Sequence, residues 1–319
     1  MSLTGSIVAL ATPFCGVGAA NVDRDGMIKL VNLHRNAGTS AVVCCGTTGE
    51  ASTLTPQEYV DVIKDTVVAA AGSGMQVIAG TGTNDTRKSY ELTSIAAAAG
   101  VDACLVVAPY YNKPTQQGIR AHFRRLDQVG IPLVVYNIPG RTGVNIEPET
   151  LAGICEECSN VVGIKASNGN LDEITETIHR LRSVPRAISV LSGDDSLTLP
   201  IMAVGGVGVI SVAANIMPRI MAEFVDRCGS LQRAGSLASA RSLAQTMNLF
   251  CRWLLMGGGS PAQTKAVMEY VGLPGGDVRL PLVRICDSTR TMLFQELRVV
   301  VQEVAKLGVT VDSHLSFLL

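Results

Sequence analysis

The sequence predicts an α/β protein, a (β/α)8 TIM barrel followed by a C-terminal three-helix appendage. Three observations lead there. Short β-branched runs alternate with amphipathic helical stretches eight times. The runs are apolar almost throughout, as strands of a parallel sheet covered on both faces are. After Gly229 the strand pattern stops and only helical periodicity remains. Strand-then-helix repeats of about 20 to 35 residues mean parallel strands with right-handed crossovers. Eight of them close a barrel; an open doubly wound sheet is the alternative.

The expected strands are 6–11, 41–45, 76–80, 103–108, 133–136, 161–165, 187–191 and 207–212. Helix starts between them carry recognisable caps. Asp23 precedes Gly26-Met27. Thr55-Pro56-Gln57-Glu58 combines an N-cap, a proline in the first turn and an acid at the third position, and Glu147-Pro148-Glu149 repeats the proline. Gly38, Gly72, Gly100 and Gly130 close helices just before strands. The uncharged stretch 196–218 has the length of a membrane span, but Pro200, Gly205, Gly206, Gly208 and Asn215 divide it into a short helix, a turn and a buried strand. Two units are expected, a catalytic barrel over 1–228 and a helical domain over 229–319. The latter should hold helices at 231–256, 260–271 and 287–306, with a glycine- and proline-rich break at 272–277.

Composition narrows the function classes. In 319 residues, 47% are hydrophobic and 17% charged, so a large packed core is expected. A net charge of -1 and a pI near 6.4 offer no basic field for nucleic acid and no polybasic patch for a membrane. The first residues carry no basic and apolar leader pattern, so the cytoplasm is expected. The nine cysteines sit mostly in apolar runs, as reduced core thiols do. Cys155 and Cys158 form a CxxC without a second ligand pair, so no metal site is read there.

In a barrel the reactive groups gather at the C-terminal ends of the strands. Those ends read Gly46-Thr47-Thr48-Gly49-Glu50, Gly80-Thr81-Gly82, Tyr110-Tyr111-Asn112, Tyr136-Asn137-Ile138-Pro139-Gly140-Arg141, Lys165 and Gly193-Asp194-Asp195. Hydroxyls, phenols, one arginine and one lysine dominate, and no histidine is near. Lys165 closes the apolar run Val161-Val162-Gly163-Ile164, where burial favours the neutral, nucleophilic amine. The alternative is a strand-end lysine whose amine reaches water. Tyr136 lies one βα unit earlier on the adjacent strand, within reach of the amine as a proton relay, with Thr47 as the relay's hydroxyl partner. The Thr47-Thr48 turn exposes backbone N–H groups and hydroxyls suited to a carboxylate, and Arg141 suits a second one. The glycine pairs at 80–82 and 205–208 match neither GxGxxG opening a helix nor the P-loop. Asp194 and Asp195 read as an N-cap before Ser196.

These strand ends together resemble the dihydrodipicolinate synthase family, within the N-acetylneuraminate lyase superfamily of Schiff-base aldolases. Seven words carry the resemblance in order: GTTGE at 46–50, GTGTN at 80–84, APYYNKP at 108–114, YNIPGRTG at 136–143, GIKAS at 163–167, LSGDDS at 191–196 and GVGVIS at 206–211. The resemblance implies a cofactor-free and metal-free condensation of pyruvate with aspartate semialdehyde on the way to diaminopimelate and lysine. Lys165 would form the imine, and Tyr136, Thr47 and Tyr111 would relay protons. Thr47 and Thr48 would hold the pyruvate carboxylate, Arg141 the aldehyde's carboxylate, and Gly193 and Ile210 would supply backbone near the imine. Tyr111 would come from a neighbouring subunit, implying a homodimer or a dimer of dimers. The arginine after YNIP and the first threonine of GTTGE favour this family over the sialic-acid lyases. Other pyruvate aldolases of the superfamily, such as hydroxy-oxoglutarate or hydratase-aldolase types, share the lysine and tyrosine and stay open. So does a noncatalytic barrel that binds a 2-oxo acid, although binding alone needs no nucleophile. A regulatory lysine site is implied near Asn84, Lys88 and Tyr110, but Pro56, Tyr59 and the cation at Lys88 depart from lysine-sensitive members. Weak or absent inhibition is therefore expected.

Overall fold

Eight parallel strands close into a barrel in chain order in the computed structural model, which describes residues 2–230, 236–256 and 260–319. The strands are β1 (Gly5–Ala9), β2 (Ala41–Cys44), β3 (Gln76–Gly80), β4 (Ala103–Val107), β5 (Leu133–Asn137), β6 (Val161–Ala166), β7 (Ser189–Ser192) and β8 (Gly208–Ser211). β1 pairs with both β2 and β8, which closes the ring and leaves no sheet edge. Each expected strand is present, with no end moved by more than two residues.

Side-chain alternation sorts the strand residues into two cores. Ile7, Ala9, Val43, Ile78, Leu105, Val134, Tyr136, Leu191 and Ile210 fill the barrel interior. Their neighbours Val8, Val42, Cys44, Val106, Val135, Ile164 and Val209 meet the surrounding helices. The glycines at 80 and 208 serve this packing: a Cβ on Gly80 would fall 2.3 Å from the Cys45 carbonyl oxygen, and one on Gly208 2.2 Å from that of Gly5.

The helices between strands are α1 (Arg24–Arg35), α2 (Pro56–Ala70), α3 (Thr86–Ala98), α4 (Gln116–Asp127), the single turn α5 (Pro139–Thr142), α6 (Pro148–Glu157), α7 (Leu171–Arg180) and α8 (Thr198–Ala203). The caps form as the sequence predicts. Asp23 accepts the Gly26 N–H, and Thr55 and Glu58 complete a reciprocal capping box. A hairpin, Phe14–Cys15 against Asn21–Val22, was not foreseen; its two-residue strands are too short to show a period.

α9 (Pro218–Gly229) ends where the second unit was expected to begin. Beyond it lie α10 (Ser236–Leu255), α11 (Ser260–Tyr270) and α12 (Asp287–Lys306); the expected start of the first of these, 231–235, lies outside the described residues. Leu243, Phe250, Leu293 and Val300 of these helices share the outer core with Val8, Met221 and Phe224, so one hydrophobic cluster runs across position 228. The chain terminus returns to the barrel: Asp312 accepts the first free N–H groups of α9 at Arg219 and Ile220, and Leu315 and Leu318 are buried. Among the described residues no helix is long and apolar enough to cross a membrane.

Cys155 and Cys158 are both buried, and burial pushes each thiol up to about 12, so they stay protonated. Arg186 donates to both backbone carbonyls, which makes this CxxC a helix-end contact.

Candidate active site

Strand parity aims the two central residues inward. Ile164 faces the outer helices, so Lys165 points into the barrel mouth, and Tyr136 does the same from β5. The ladder sets Tyr136 directly beside Lys165. They are 8% and 5% exposed, and Lys165 Nζ lies 4.2 Å from the centroid of the Tyr136 ring. Among the described residues the Lys165 side chain makes no ion pair or hydrogen bond. Its nitrogen is therefore unencumbered toward the cavity above it.

That cavity, about 180 Å³, is walled by Thr47, Thr48, Tyr136, Arg141, Lys165 and Gly193. Ala9 and Val43 are also in its lining, small enough to leave space at the top of the interior. It shares Thr47, Tyr136 and Arg141 with a larger, mostly apolar groove of about 440 Å³ that runs past Tyr59, Leu92, Ile95 and Tyr110. The site is thus open on one flank.

The turn after β2 is tightly specified. Glu50 N–H donates to Thr47 O (3.0 Å), and Thr12 Oγ1 donates to Gly49 O (2.7 Å). Cys45 and Glu50, at its two ends, hold φ of +52° and +51°, which non-glycine residues adopt only under constraint. Thr48 is buried and Thr47 exposed. Neither hydroxyl has a protein partner among the described residues, so both are available to a ligand.

Arg141 sits on α5, and the loop beyond it is stapled by Asn137. That side chain donates to Asn145 Oδ1 (2.8 Å) and accepts from Ile146 N (3.0 Å). The guanidinium is exposed and near Asp194, which also lines the cavity. Burial raises the Asp194 carboxyl above its ordinary value, and the positive charges of Lys165 and Arg141 oppose that rise.

The N-cap reading of Asp194 and Asp195 is corrected here. Neither side chain caps the short turn that follows. The Asp195 carboxylate reaches across to the end of β8, accepting the N–H groups of Val212 and Ala213 at 3.0 Å each. A buried carboxylate is better satisfied by two converging donors on the next strand end than by one local N–H.

Gly193 touches the lysine directly. A Cβ there would lie 3.0 Å from Lys165 Cε and 1.8 Å from Ser167 Oγ, a buried hydroxyl with no hydrogen-bond partner among the described residues. Ile210 is not in the cavity lining; its side chain is fully buried in the barrel interior. Tyr111 is apart from its own chain's cavity. It is 87% exposed at φ +74°, with its N–H bound to Thr142 O at 3.1 Å. Lys88 and Tyr110 border the larger groove, while Asn84 does not and instead accepts Asn112 Nδ2 at its carbonyl. The hydroxyl of Tyr59 is turned away onto Gly80 O at 2.9 Å.

Sequence reasoning missed the contribution of the appendage. Leu255 and Ser260 complete the cavity wall. Glu50 and Lys265 form a buried ion pair behind the threonine turn. Glu50 stood within a quoted motif without a role, and Lys265 was the one cation in its helical stretch, which is the signal that marked it.

The sequence model described as "Dihydrodipicolinate synthetase family" matches residues 2–300. The chain belongs to this family. The 4-hydroxy-tetrahydrodipicolinate synthase of Clostridium tetani is 43% identical over 294 residues, covering 92% of this chain and 96% of the relative. Among solved structures, the dihydrodipicolinate synthase of Cyanidioschyzon merolae with lysine bound superposes with a TM-score of 0.88 at 35% identity, covering 93% and 98% of the two chains. A structure described as the first monomeric dihydrodipicolinate synthase variant gives a TM-score of 0.88 at 34% identity, covering 93% and 97%. Near-complete coverage in both directions means that the appendage belongs to the family pattern as far as the matches extend.

Proposed function

We propose that this chain condenses pyruvate with L-aspartate 4-semialdehyde to give 4-hydroxy-tetrahydrodipicolinate, as a Schiff-base lyase on the route to diaminopimelate and lysine. The observation that carries this reading is the placement of Lys165: near-buried, unpaired among the described residues, beside Tyr136, at the base of a cavity at the C-terminal end of the barrel. The neutral amine attacks the pyruvate ketone carbon. Loss of water, with protons carried by Tyr136 and Thr47, leaves a protonated imine that serves as the electron sink. A proton leaves the former methyl group, and the resulting enamine carbon adds to the aldehyde. The substrate's amino group then attacks the imine carbon, closing the ring and releasing Lys165. Thr47 and Thr48 hold the pyruvate carboxylate, Arg141 takes the carboxylate of the aldehyde, and Gly193 leaves room for the lysine chain.

The exposed Tyr111 and the open groove beside Thr47 support a working homodimer in which each chain lends Tyr111 to its neighbour, with a dimer of dimers as the larger assembly. We place the protein in the cytoplasm. The bordering cation of Lys88 supports weak or absent inhibition by lysine. The test is to incubate the protein with pyruvate, reduce with borohydride and map the mass increase. Label at Lys165 is expected; label on another lysine, or none, refutes the reading.

A further inference from the structure

Behind the threonine turn lies a charge cluster that no reacting atom reaches. The Lys265 side chain on α11 is 1% exposed, with Nζ 2.6 Å from Glu50 Oε1, whose side chain is equally buried. The same nitrogen donates to Asp277 O (2.9 Å) and lies 3.9 Å from the centroid of the Phe14 ring. Glu50 Oε2 accepts the backbone N–H of Arg279 at 3.0 Å. The Arg279 guanidinium grips both oxygens of Glu58 (2.8 and 2.6 Å), donates to the carbonyls of Ala19, Ala20 and Thr53, and approaches the Phe14 ring to 4.3 Å. Four segments meet here: the hairpin after β1, the turn after β2, the first turn of α2, and the stretch from α11 to Arg279.

Two features separate this cluster from ordinary packing. First, a fully buried ion pair is a weak way to stabilise a fold, because desolvation offsets most of the attraction and apolar residues of similar volume do as well. Its distinctive property is directional: it fixes where Glu50 sits. Second, Glu50 holds a left-handed backbone, which a non-glycine residue keeps only where its surroundings impose it. Its carboxylate is held entirely by Lys265 and Arg279 among the described residues, and its own N–H closes the turn onto Thr47 O.

We infer that Lys265 is a positioning residue for the reaction: through Glu50 it holds the Thr47-Thr48 turn in the geometry that receives the carboxylate of the 2-oxo acid. The C-terminal appendage thereby sets pyruvate affinity through a side chain outside the cavity lining. The inference rests on the reading of Thr47 and Thr48 as the carboxylate-binding pair.

Lys265→Met alone would leave the Glu50 charge buried without its partner, so the test uses the neutral pair Glu50→Gln/Lys265→Met and the isosteric Glu50→Gln. Melting temperature and the KM for each substrate are measured. The expected result is folded protein with pyruvate KM raised at least about fivefold and aldehyde KM within about twofold of the parent, a split that general loosening of the fold does not produce. Pyruvate KM within about twofold of the parent in both variants overturns the inference. So does an equal rise for both substrates. Variants that no longer fold assign the pair to stability and overturn it as well. Thr48→Val tells the two failures apart. Unchanged pyruvate KM in that variant removes the carboxylate reading itself, whereas a raised KM there, with the pair variants silent, removes only the role of Lys265.

Discussion

Gly193→Ala tests whether the lysine chain is held by contact as well as by its strand. Gly193 has no left-handed backbone to protect, and its N–H donates to Ala166 O at 2.8 Å, so the added methyl group cannot escape by a backbone shift without breaking that bond. It arrives 1.8 Å from Ser167 Oγ, 3.0 Å from Lys165 Cε and 3.1 Å from Ser167 Cβ. Among the described residues the hydroxyl gives up no hydrogen bond by rotating away, at a cost of about 0.5 to 1.5 kcal/mol if it leaves its preferred rotamer. The contact to Cε remains short of the roughly 3.5 to 4.0 Å that carbon atoms prefer, so the lysine must move by several tenths of an ångström. The Tyr136 ring, 4.2 Å from Nζ, limits where it can go. Displacement by about 1 Å costs about a hundredfold in rate, so about tenfold is expected here, with about 1 to 3 kcal/mol lost in stability. The assay is single-turnover imine trapping with pyruvate and borohydride, run beside a melting curve. In Gly193→Ala/Ser167→Gly stability recovers while trapping stays slow, because the Cε contact persists. Imine formation within about twofold of the parent in Gly193→Ala, or full recovery in the double variant, refutes the reasoning.

Three further outcomes are expected. Lys165→Ala and Tyr111→Phe homomers should each be nearly inactive, yet mixing them with subunit exchange should restore about a quarter of parental activity, since half the dimers are mixed and one of their two sites is whole; no recovery removes the shared site. Millimolar L-lysine should leave the rate within about twofold of the uninhibited value, because the ligand's ammonium would meet Lys88 in the groove; a micromolar inhibition constant contradicts this. Burial lowers His122 to about 4, although Asp85 nearby pulls the other way, and Thr86 Oγ1 holds its Nδ1 at 3.0 Å. The unfolded chain, titrating near 6.5, takes up that proton first, so the stability contributed by neutral His122 is present above about pH 6.5 and lost as pH falls toward 4, about 3 kcal/mol in all. His122→Asn should therefore flatten the acid-unfolding profile by about one proton over this window. An unchanged slope by circular dichroism assigns the acid transition elsewhere, for instance to His34, which burial lowers to about 3.

Local signals made the barrel legible. The strands announced themselves by β-branched runs, the helices by caps that form as written, and strand parity alone aimed Tyr136 and Lys165 into one space. The floor of the candidate site was therefore readable, and so was the turn that faces it. What was not readable depends on contacts between distant positions. Asp195 spends its carboxylate on the next strand end instead of its own helix, a choice invisible to local capping rules. Arg279 meets Glu58 across 221 positions and Glu50 across 229. No periodicity encodes such a meeting; it exists only once the barrel and the appendage are folded together.

Lys165 and Lys265 show how far residue type falls short of chemistry. Both close or interrupt apolar stretches, and both are nearly inaccessible, at 5% and 1%. Lys265 is bound by a carboxylate and a carbonyl and lies against an aromatic ring, so its nitrogen has no direction left in which to attack. Burial still lowers it to about 8 despite Glu50, which means that desolvation outweighs the attraction of its partner. Such a pair persists because it fixes geometry. Lys165 has the opposite arrangement: one aromatic neighbour, no anion within bonding distance among the described residues, and a cavity above it. On the proposed reading, Lys165 is left unbound so that a ketone can reach it, and Lys265 is bound so that the turn beside the ketone stays in place. If borohydride fixes pyruvate to Lys165 and leaves Lys265 unmodified in the same digest, that division of labour follows from coordination alone.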